Sequence, residues 1–283
     1  MTQAEGFQRN AESVASHRCE VAEHRWVNDR YKYLRLHAPG PLARATRAGQ
    51  FYQLKCPVSD DLQPFLLRPM SVCGMGPQPE TLEFLYNVTG LGTLAISDLA
   101  VGDHMDIVGP LGNTFFLGPG FKRIMVVARG VGLATMAPLV QMAADRGIAV
   151  TAIMSARAPK DLMRDEFLRG APADVHCVYD SDGSSDVDAV EALVRRQLEQ
   201  HSHDAVYTCG SHRLLMLLQR VLADYPDVLG QVAMEQRMAC GMGVCLSCVR
   251  LFDTAEGDKQ FLRVCREGPV FSIRDVVGEV EFG

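Results

Sequence analysis

The pattern of apolar and polar positions changes character near Gly109. Before it, from Cys19 to about Val108, apolar residues come in short alternating runs: Tyr31-Lys-Tyr-Leu-Arg-Leu, Gln50-Phe-Tyr-Gln-Leu-Lys and Thr81-Leu-Glu-Phe-Leu-Tyr-Asn-Val. A period of two puts successive side chains on opposite faces, so each run predicts a strand with one face buried. Glycines and prolines at Pro39-Gly40-Pro41, Gly49, Pro57 and Gly74 to Pro79 separate the runs. Short strands punctuated in this way predict an antiparallel barrel.

Past Gly109-Pro110-Leu-Gly112 the runs become continuously apolar and alternate with helical spacing. Arg123-Ile-Met-Val-Val-Ala leads into Arg129-Gly-Val-Gly132, then into a helical pattern from Leu133 to Asp145, and Ala149-Val-Thr-Ala-Ile-Met forms a second buried run. Asp188 to Gln200 reads as a helix, Ala205 to Cys209 as a strand and His212 to Leu222 as another helix. Strands alternating with helices predict a parallel sheet covered on both faces, and such sheets bind nucleotides beyond the carboxyl ends of their strands. Met1 to about His17 is polar, with no apolar period. The expected organisation is all-β plus α/β: a tail over 1–17, an antiparallel β-barrel over 18–115, a parallel-sheet nucleotide domain over 116–232 and a small C-terminal lobe over 233–283.

Composition narrows the choice of partners. A chain of 283 residues with 47% hydrophobic positions can fill two or three cores. A formal charge of −6 offers no basic face for nucleic acid. No apolar run approaches the roughly 20 residues that span a bilayer. No signal peptide opens the chain, and nine cysteines are a hazard in an oxidising space, so the cytoplasm is the expected compartment.

Five of those cysteines lie at positions 19, 56, 73, 177 and 209; the other four form a pattern. Cys240-Gly-Met-Gly-Val-Cys245-Leu-Ser-Cys248 is followed at a distance by Cys265, giving C-x4-C-x2-C…C. That is the plant-type ferredoxin spacing, and four soft thiolates suit a [2Fe–2S] cluster. Gly241 and Gly243 let the backbone curl so that N–H groups face sulfur. Zinc sites instead pair their thiols as two short knuckles, and Cys265 stands alone. Unligated core cysteines and a disulfide set are the remaining readings. The expected role is single-electron transfer, and the apolar residues that flank the ligands, Met242, Val244 and Leu246, are expected either to meet a partner or to pack inside the lobe.

Within the barrel segment, Arg68-Pro69-Met70-Ser71 brings together an arginine able to hold pyrophosphate, a proline that fixes φ, and a hydroxyl. Leu85-Tyr86-Asn87 and then Gly90-Leu-Gly92-Thr93 follow, with Thr93 expected to open a helix whose amides face phosphate. Together they read as a flavin site, although Arg-Pro on an edge strand is also an ordinary structural pair.

The order and spacing of Arg68-Pro-Met-Ser71, Gly90-x-Gly92-Thr93, Gly109-Pro-Leu-Gly112, Tyr207-Thr-Cys-Gly210 and the four-cysteine segment resemble the ferredoxin–NADP reductase superfamily. Within it, the chain is most similar to the electron-transfer subunits of class 1B dihydroorotate dehydrogenases, from about residue 18 to the end. The resemblance implies FAD held by the barrel through Arg68, Pro69, Met70, Ser71, Leu85, Tyr86, Asn87, Gly92 and Thr93. It implies NAD(H) or NADP(H) at Arg129, Gly130, Gly132 and Gly210, with Cys209 beside the nicotinamide as the catalytic candidate. It further implies a [2Fe–2S] cluster on Cys240, Cys245, Cys248 and Cys265, and a separate FMN-type flavoprotein partner in a hetero-oligomer. Electrons would pass between NAD(P)(H), FAD, cluster and partner. Because no (β/α)8 barrel remains unassigned, oxidation of an organic substrate would belong to the partner chain.

Two positions depart from the family pattern. Arg129 stands where a glycine is usual, and Asn87 where a basic residue is common. Arg129 has four readings: a stronger phosphate contact, a changed nucleotide preference, a block to nucleotide, or an outward-facing ion-pair residue. Two alternatives to the electron-transfer role follow: a reductase or transhydrogenase subunit for another acceptor, or a redox-sensing subunit without nucleotide turnover. Cys209 is equally readable as a buried structural thiol. Asp180-Ser-Asp182-Gly-Ser looks acidic enough for calcium but lacks the spaced ligands, so a turn is expected, lining the nucleotide pocket. No hydrolytic constellation is present.

Overall fold

The computed structural model describes residues 14–59, 63–77, 80–168, 170–254 and 257–278. The first strands are β1 (Ala15–Trp26), β2 (Tyr31–His37), β3 (Phe51–Leu54), β4 (Arg68–Pro77), β5 (Glu80–Asn87) and β6 (His104–Leu111). They close into a barrel in the order β1-β2-β5-β4-β3-β6 with antiparallel neighbours. Two short helices, α1 (Gly40–Ala45) and α2 (Leu91–Ser97), lie in its connections. The inward set of the alternating runs, including Leu34, Leu36, Tyr52, Leu54, Leu82, Phe84 and Ile107, makes one buried core. Closure removes the free sheet edges that such short strands would otherwise expose. β1 begins at Ala15, which pairs with Gly109, so residues 15–17 of the segment read as a tail belong to the barrel. Backbone pairing needs no apolar period, and so left no signal. Residues 1–13 of that segment lie outside the described residues.

The second sheet contains β7 (Arg123–Arg129), β8 (Ala149–Ala156), β9 (Asp174–Tyr179), β10 (Ala205–Cys209), β11 (Leu229–Ala233) and a late strand, β14 (Val270–Ser272). Its order is β14-β11-β10-β7-β8-β9, parallel throughout except for β14. Both faces of β7 are buried. Ile124, Val126 and Ala128 pack with α3 (Gly132–Asp145) and α4 (Arg164–Leu168), while Met125 and Val127 pack with α5 (Val187–Gln200) and α6 (His212–Leu222). This is the reason β7 reads as a continuous apolar run.

α3 is buried along most of its length because it also packs on β4 of the barrel. A helix apolar all round is one enclosed on all sides. Here α3 joins the two domains.

The C-terminal lobe adds a hairpin of β12 (Val249–Asp253) and β13 (Lys259–Arg263), then returns as β14 to the large sheet. It shares a core with α6, in which Phe252 stacks on Phe271 at 4.2 Å between centroids. Two buried amides fix the lobe to the barrel. Asn113 Nδ2 donates to Glu267 O at 3.0 Å and Val270 O at 2.8 Å, its Oδ1 accepts the Val270 N–H at 2.9 Å, and Gln53 Nε2 donates to Ala239 O at 3.3 Å. Among the described residues no helix is long and apolar enough to cross a membrane.

Candidate functional site

A cavity of about 280 Å³ opens where the three parts meet. The barrel wall is Phe51, Arg68, Pro69, Met70, Ser71, Leu85, Tyr86, Asn87 and Thr93; the sheet wall is Val131, Ala134, Thr135 and Cys209; the third wall is Ala233, Met234, Glu235, Gln236, Met238 and Pro269. Thus most residues read as flavin contacts line one space, with Cys209 facing them. β4 is the strand that carries Arg68 to Ser71, paired to β3 in the register Arg68↔Leu54 through Ser71↔Phe51.

The details correct several expectations. Thr93 does not open α2. It sits in the helix's first turn, where its hydroxyl accepts the N–H groups of Thr89 at 3.0 Å and Gly90 at 3.1 Å. Gly92 lies directly under Arg68, since a β-carbon there would collide with the guanidinium. The arginine donates through Nη1 to the carbonyls of Leu66 and Leu67. Tyr86 turns its hydroxyl to His24 Nε2 at 2.8 Å, and burial holds that phenol well above its usual pKa.

A second cavity of about 260 Å³ is lined by Arg30, Tyr31, Asn87, Arg129, Gly130, Val131, Ala156, Arg157, Asp161 and Gly210. It lies at the carboxyl ends of β7, β8 and β10, where the order of the sheet reverses, and Asn87 and Val131 border both cavities. Gly132 lines neither. It lets the turn after β7 pack on the turn after β10, because a β-carbon would lie 2.5 Å from the Cys209 carbonyl carbon. Gly210 mirrors it at φ 93°, pressed against the Arg129 carbonyl.

Arg129 is largely covered and forms an ion pair with Asp180. Nη1 and Nη2 donate to Asp180 Oδ1 and Oδ2 at 2.9 and 2.6 Å, and Nη1 also donates to Ser155 Oγ at 2.8 Å. Asp180 therefore belongs to a turn with Gly183 at φ 75°, held by an arginine. Those donations, with one from the Ser185 hydroxyl, hold its carboxyl at about 2.

Cys209 is buried, and burial, reinforced by the charge of Glu235, pushes its thiol far up despite donation from Thr135 and the Gly210 N–H. It stays a neutral thiol at neutral pH. Glu235 was not legible as a site residue. Its carboxylate touches the open cavity but is crowded by protein on the other sides, and this desolvation raises its pKa. Arg30, Arg157 and Thr135 were missed as well. For Arg157 a signal existed: it immediately follows the carboxyl end of a parallel strand.

Beyond Met238 the chain enters the cysteine loop. Gly241, Gly243 and Leu246 have φ of 70°, 84° and 61°, a left-handed run that turns backbone N–H groups inward. Those of Met242 and Val244 each donate to Cys240 Sγ at 3.4 Å, and that of Cys265 to Cys248 Sγ at 3.4 Å. The Ser247 hydroxyl, its N–H and that of Cys240 lower the Cys245 thiol to about 6. Burial opposes ionisation of Cys240, but N–H groups from Cys245, Met242 and Val244 outweigh it and lower that thiol too. Burial and contact with Cys248 raise Cys265 to about 12.

The four sulfurs interact as two pairs, 240 with 245 and 248 with 265. Cys248 and Cys265 are 3.2 Å apart, too far for a disulfide, and all nine cysteines are free. Among the described residues no three His, Cys, Asp or Glu side chains converge on a single-ion site. Four thiols with inward N–H donors fit a [2Fe–2S] cluster, and a cation would relieve the buried pair's cost of ionising. Met242, Val244 and Leu246 are exposed, so they are not packed inside the lobe.

Residues 235–277 match the family described as the iron-sulfur cluster binding domain of dihydroorotate dehydrogenase B. Over 247 residues the chain is 32% identical to the dihydroorotate dehydrogenase B (NAD(+)) electron transfer subunit of Desulforamulus reducens, covering 87% of this chain and 92% of that one. The chain belongs to the dihydroorotate dehydrogenase B electron transfer subunit family. The Streptococcus pneumoniae member is 31% identical over 242 residues, covering 84% of this chain and 90% of its own. Among solved structures, an NADH-dependent reduced ferredoxin-NADP oxidoreductase superposes with a TM-score of 0.76 at 21% identity, covering 92% and 90% of the two chains. The ferredoxin-NADP+ reductase of Plasmodium falciparum gives 0.61 at 13% identity, covering 80% and 99%. The fold and family expected from the motif order are those found.

Proposed function

We propose that this chain passes electrons between NAD(H) and a separate dihydroorotate-oxidising flavoprotein subunit of the FMN type, using FAD and a [2Fe–2S] cluster of its own. One observation carries the reading: the cavity walled by Arg68 to Ser71 is also walled by Cys209 and by Met238, two residues before the first cluster cysteine. Nucleotide side, flavin side and cluster side therefore share one space. Arg68 and Ser71 are suited to hold FAD, Cys240, Cys245, Cys248 and Cys265 the cluster, and Gly130, Gly210 and the edge of β7 the nucleotide. When bound, FAD supplies the exchange between hydride chemistry and single-electron transfer, and the cluster supplies the outlet.

The chain's own residues orient and insulate. The neutral Cys209 thiol gives the nicotinamide side a compact, uncharged contact, and Thr135 fixes the direction of its sulfur. Met234, Met238 and Pro269 keep the flavin wall next to the cluster loop apolar. Met242, Val244 and Leu246 form an uncharged exposed rim suited to a subunit interface. Free thiols throughout and an iron–sulfur ligand set support a cytoplasmic location.

Anaerobic purification should yield about two irons and two acid-labile sulfides per chain. NADH should reduce the bound flavin of the isolated chain, and dihydroorotate-dependent reduction of NAD+ should appear only when the catalytic subunit is added. Stoichiometric zinc in place of iron, or dihydroorotate oxidation by the isolated chain, would overturn the proposal.

A further inference from the structure

At the rim of the sheet, one exposed carboxylate faces more positive charge than it can balance. Asp180 follows β9 and receives both arms of Arg129 from the end of β7, together with the Ser185 hydroxyl. Arg213, at the start of α6, also acts on it electrostatically. Arg129, Arg213, Ser155, Ser185 and Ser211 line a small pocket under this carboxylate. Two guanidiniums and several hydroxyls around a single acid are the donor set of a phosphate site, with the acid in the phosphate's place.

Arg129 lines this small pocket and also the 260 Å³ cavity assigned to the nucleotide, so it is the wall between them. A dinucleotide whose nicotinamide lies at Cys209 runs along the carboxyl ends of β10 and β7 toward β8 and β9. Its adenosine ribose would then meet Arg129, which lines that cavity, and beside it Ser155 and Asp180, to which Arg129 donates. Asp180 Oδ1 already accepts from Arg129 and Ser185, whereas Oδ2 accepts from Arg129 alone and keeps a lone pair for a ribose hydroxyl.

We infer that Asp180 is a built-in anion that closes the phosphate site made by Arg129 and Arg213, and thereby makes the chain select NAD(H) over NADP(H). The inference rests on the nucleotide reading above and assigns its specificity to this side chain. A 2′-phosphate would meet a carboxylate that cannot swing aside without breaking a two-armed charge-assisted bond, and like charges in contact disfavour each other. A ribose with free hydroxyls meets an acceptor. Arg129, which replaces a glycine in the family pattern, is then not lost to nucleotide binding; it is held in reserve by the acid.

The test uses the FAD- and cluster-loaded chain with Asp180→Asn and Asp180→Ala. Steady-state reduction of an artificial acceptor gives the ratio of kcat/KM for NADPH to that for NADH, which should rise by about tenfold or more in both variants. Calorimetry with adenosine 2′,5′-bisphosphate and AMP reads the same site without turnover. The bisphosphate should bind the variants about tenfold more tightly than it binds wild type, AMP should not share the gain, and adding Arg129→Ala should abolish it. Unchanged ratios and affinities in a folded variant, persistence of the gain without Arg129, or wild type binding the bisphosphate more tightly than AMP would each overturn the inference. Failure of NADH to reduce the wild-type flavin would instead strike the nucleotide reading, and the calorimetric comparison would still decide the role of Asp180.

Discussion

Replacing Arg68 with alanine isolates the phosphate end of the flavin site. Among the described residues this guanidinium bonds the chain only through Nη1, on the carbonyls of Leu66 and Leu67. Nε and Nη2 lie over Gly92, at the mouth of the cavity, and are available to a pyrophosphate. A hydrogen bond to a charged group contributes about 1.5–3 kcal/mol, or about 10- to 150-fold in affinity. Arg68 is half-exposed, and solvent screening moves the expected loss toward the lower end, about tenfold. The assay is titration of flavin-stripped protein with FAD and, separately, with riboflavin, which has no phosphate, following flavin fluorescence. FAD should weaken about tenfold and riboflavin hardly at all, with iron content unchanged. Equal weakening of both flavins would mean that Arg68 acts by shaping β4, and unchanged FAD affinity would remove it from the site.

Cys245→Ser should bleach the visible spectrum of the cluster and leave FAD in place, because none of the four cluster cysteines lines the flavin cavity; loss of both cofactors together, read by metal and flavin analysis, would contradict that separation. Val244→Glu puts a charge on a side chain that is 81% exposed, so it should leave NADH reduction of the flavin intact and slow electron delivery to the catalytic subunit, as stopped-flow would show. Glu235 holds its proton more tightly folded than unfolded, because desolvation raises its pKa above 4.5. Its contribution is therefore complete below that value and lost as pH rises through the raised one. Glu235→Gln should gain stability relative to wild type over that rise in urea melts, and parallel curves would show that the carboxyl is not desolvated in solution.

Legibility followed the range of the interaction. The four-cysteine loop, the strand carrying Arg68 to Ser71 and the β7–α3 turn could be read because each is a local pattern with a short-range physical cause. β14 could not, since its antiparallel return to β11 depends on Asn113 and Val270 meeting across the whole chain. Asp180 was read as a turn, correctly, but its partner Arg129 lies on a different strand, and no periodicity links a side chain at the end of β7 to one at the end of β9. Glu235 sits in an irregular stretch, where neither a period of two nor of 3.6 marks a face. Thr93 lies two residues inside α2 rather than at its start, because Gly90, with extended backbone, already caps the helix and leaves the hydroxyl to satisfy the amides before it.

The central cavity has a consequence for how the molecule is assembled. Since barrel, sheet and cluster loop each supply one wall, none of them owns a flavin site, and a fragment ending before Ala233 would lack six of the nineteen lining residues. A ligand that binds only the finished junction stabilises every partition of the chain at once, in proportion to its concentration over its dissociation constant. Flavin supply would then act as a quality check on assembly: chains whose cluster loop has not docked retain flavin poorly, and remain the most open to proteolysis at the seams.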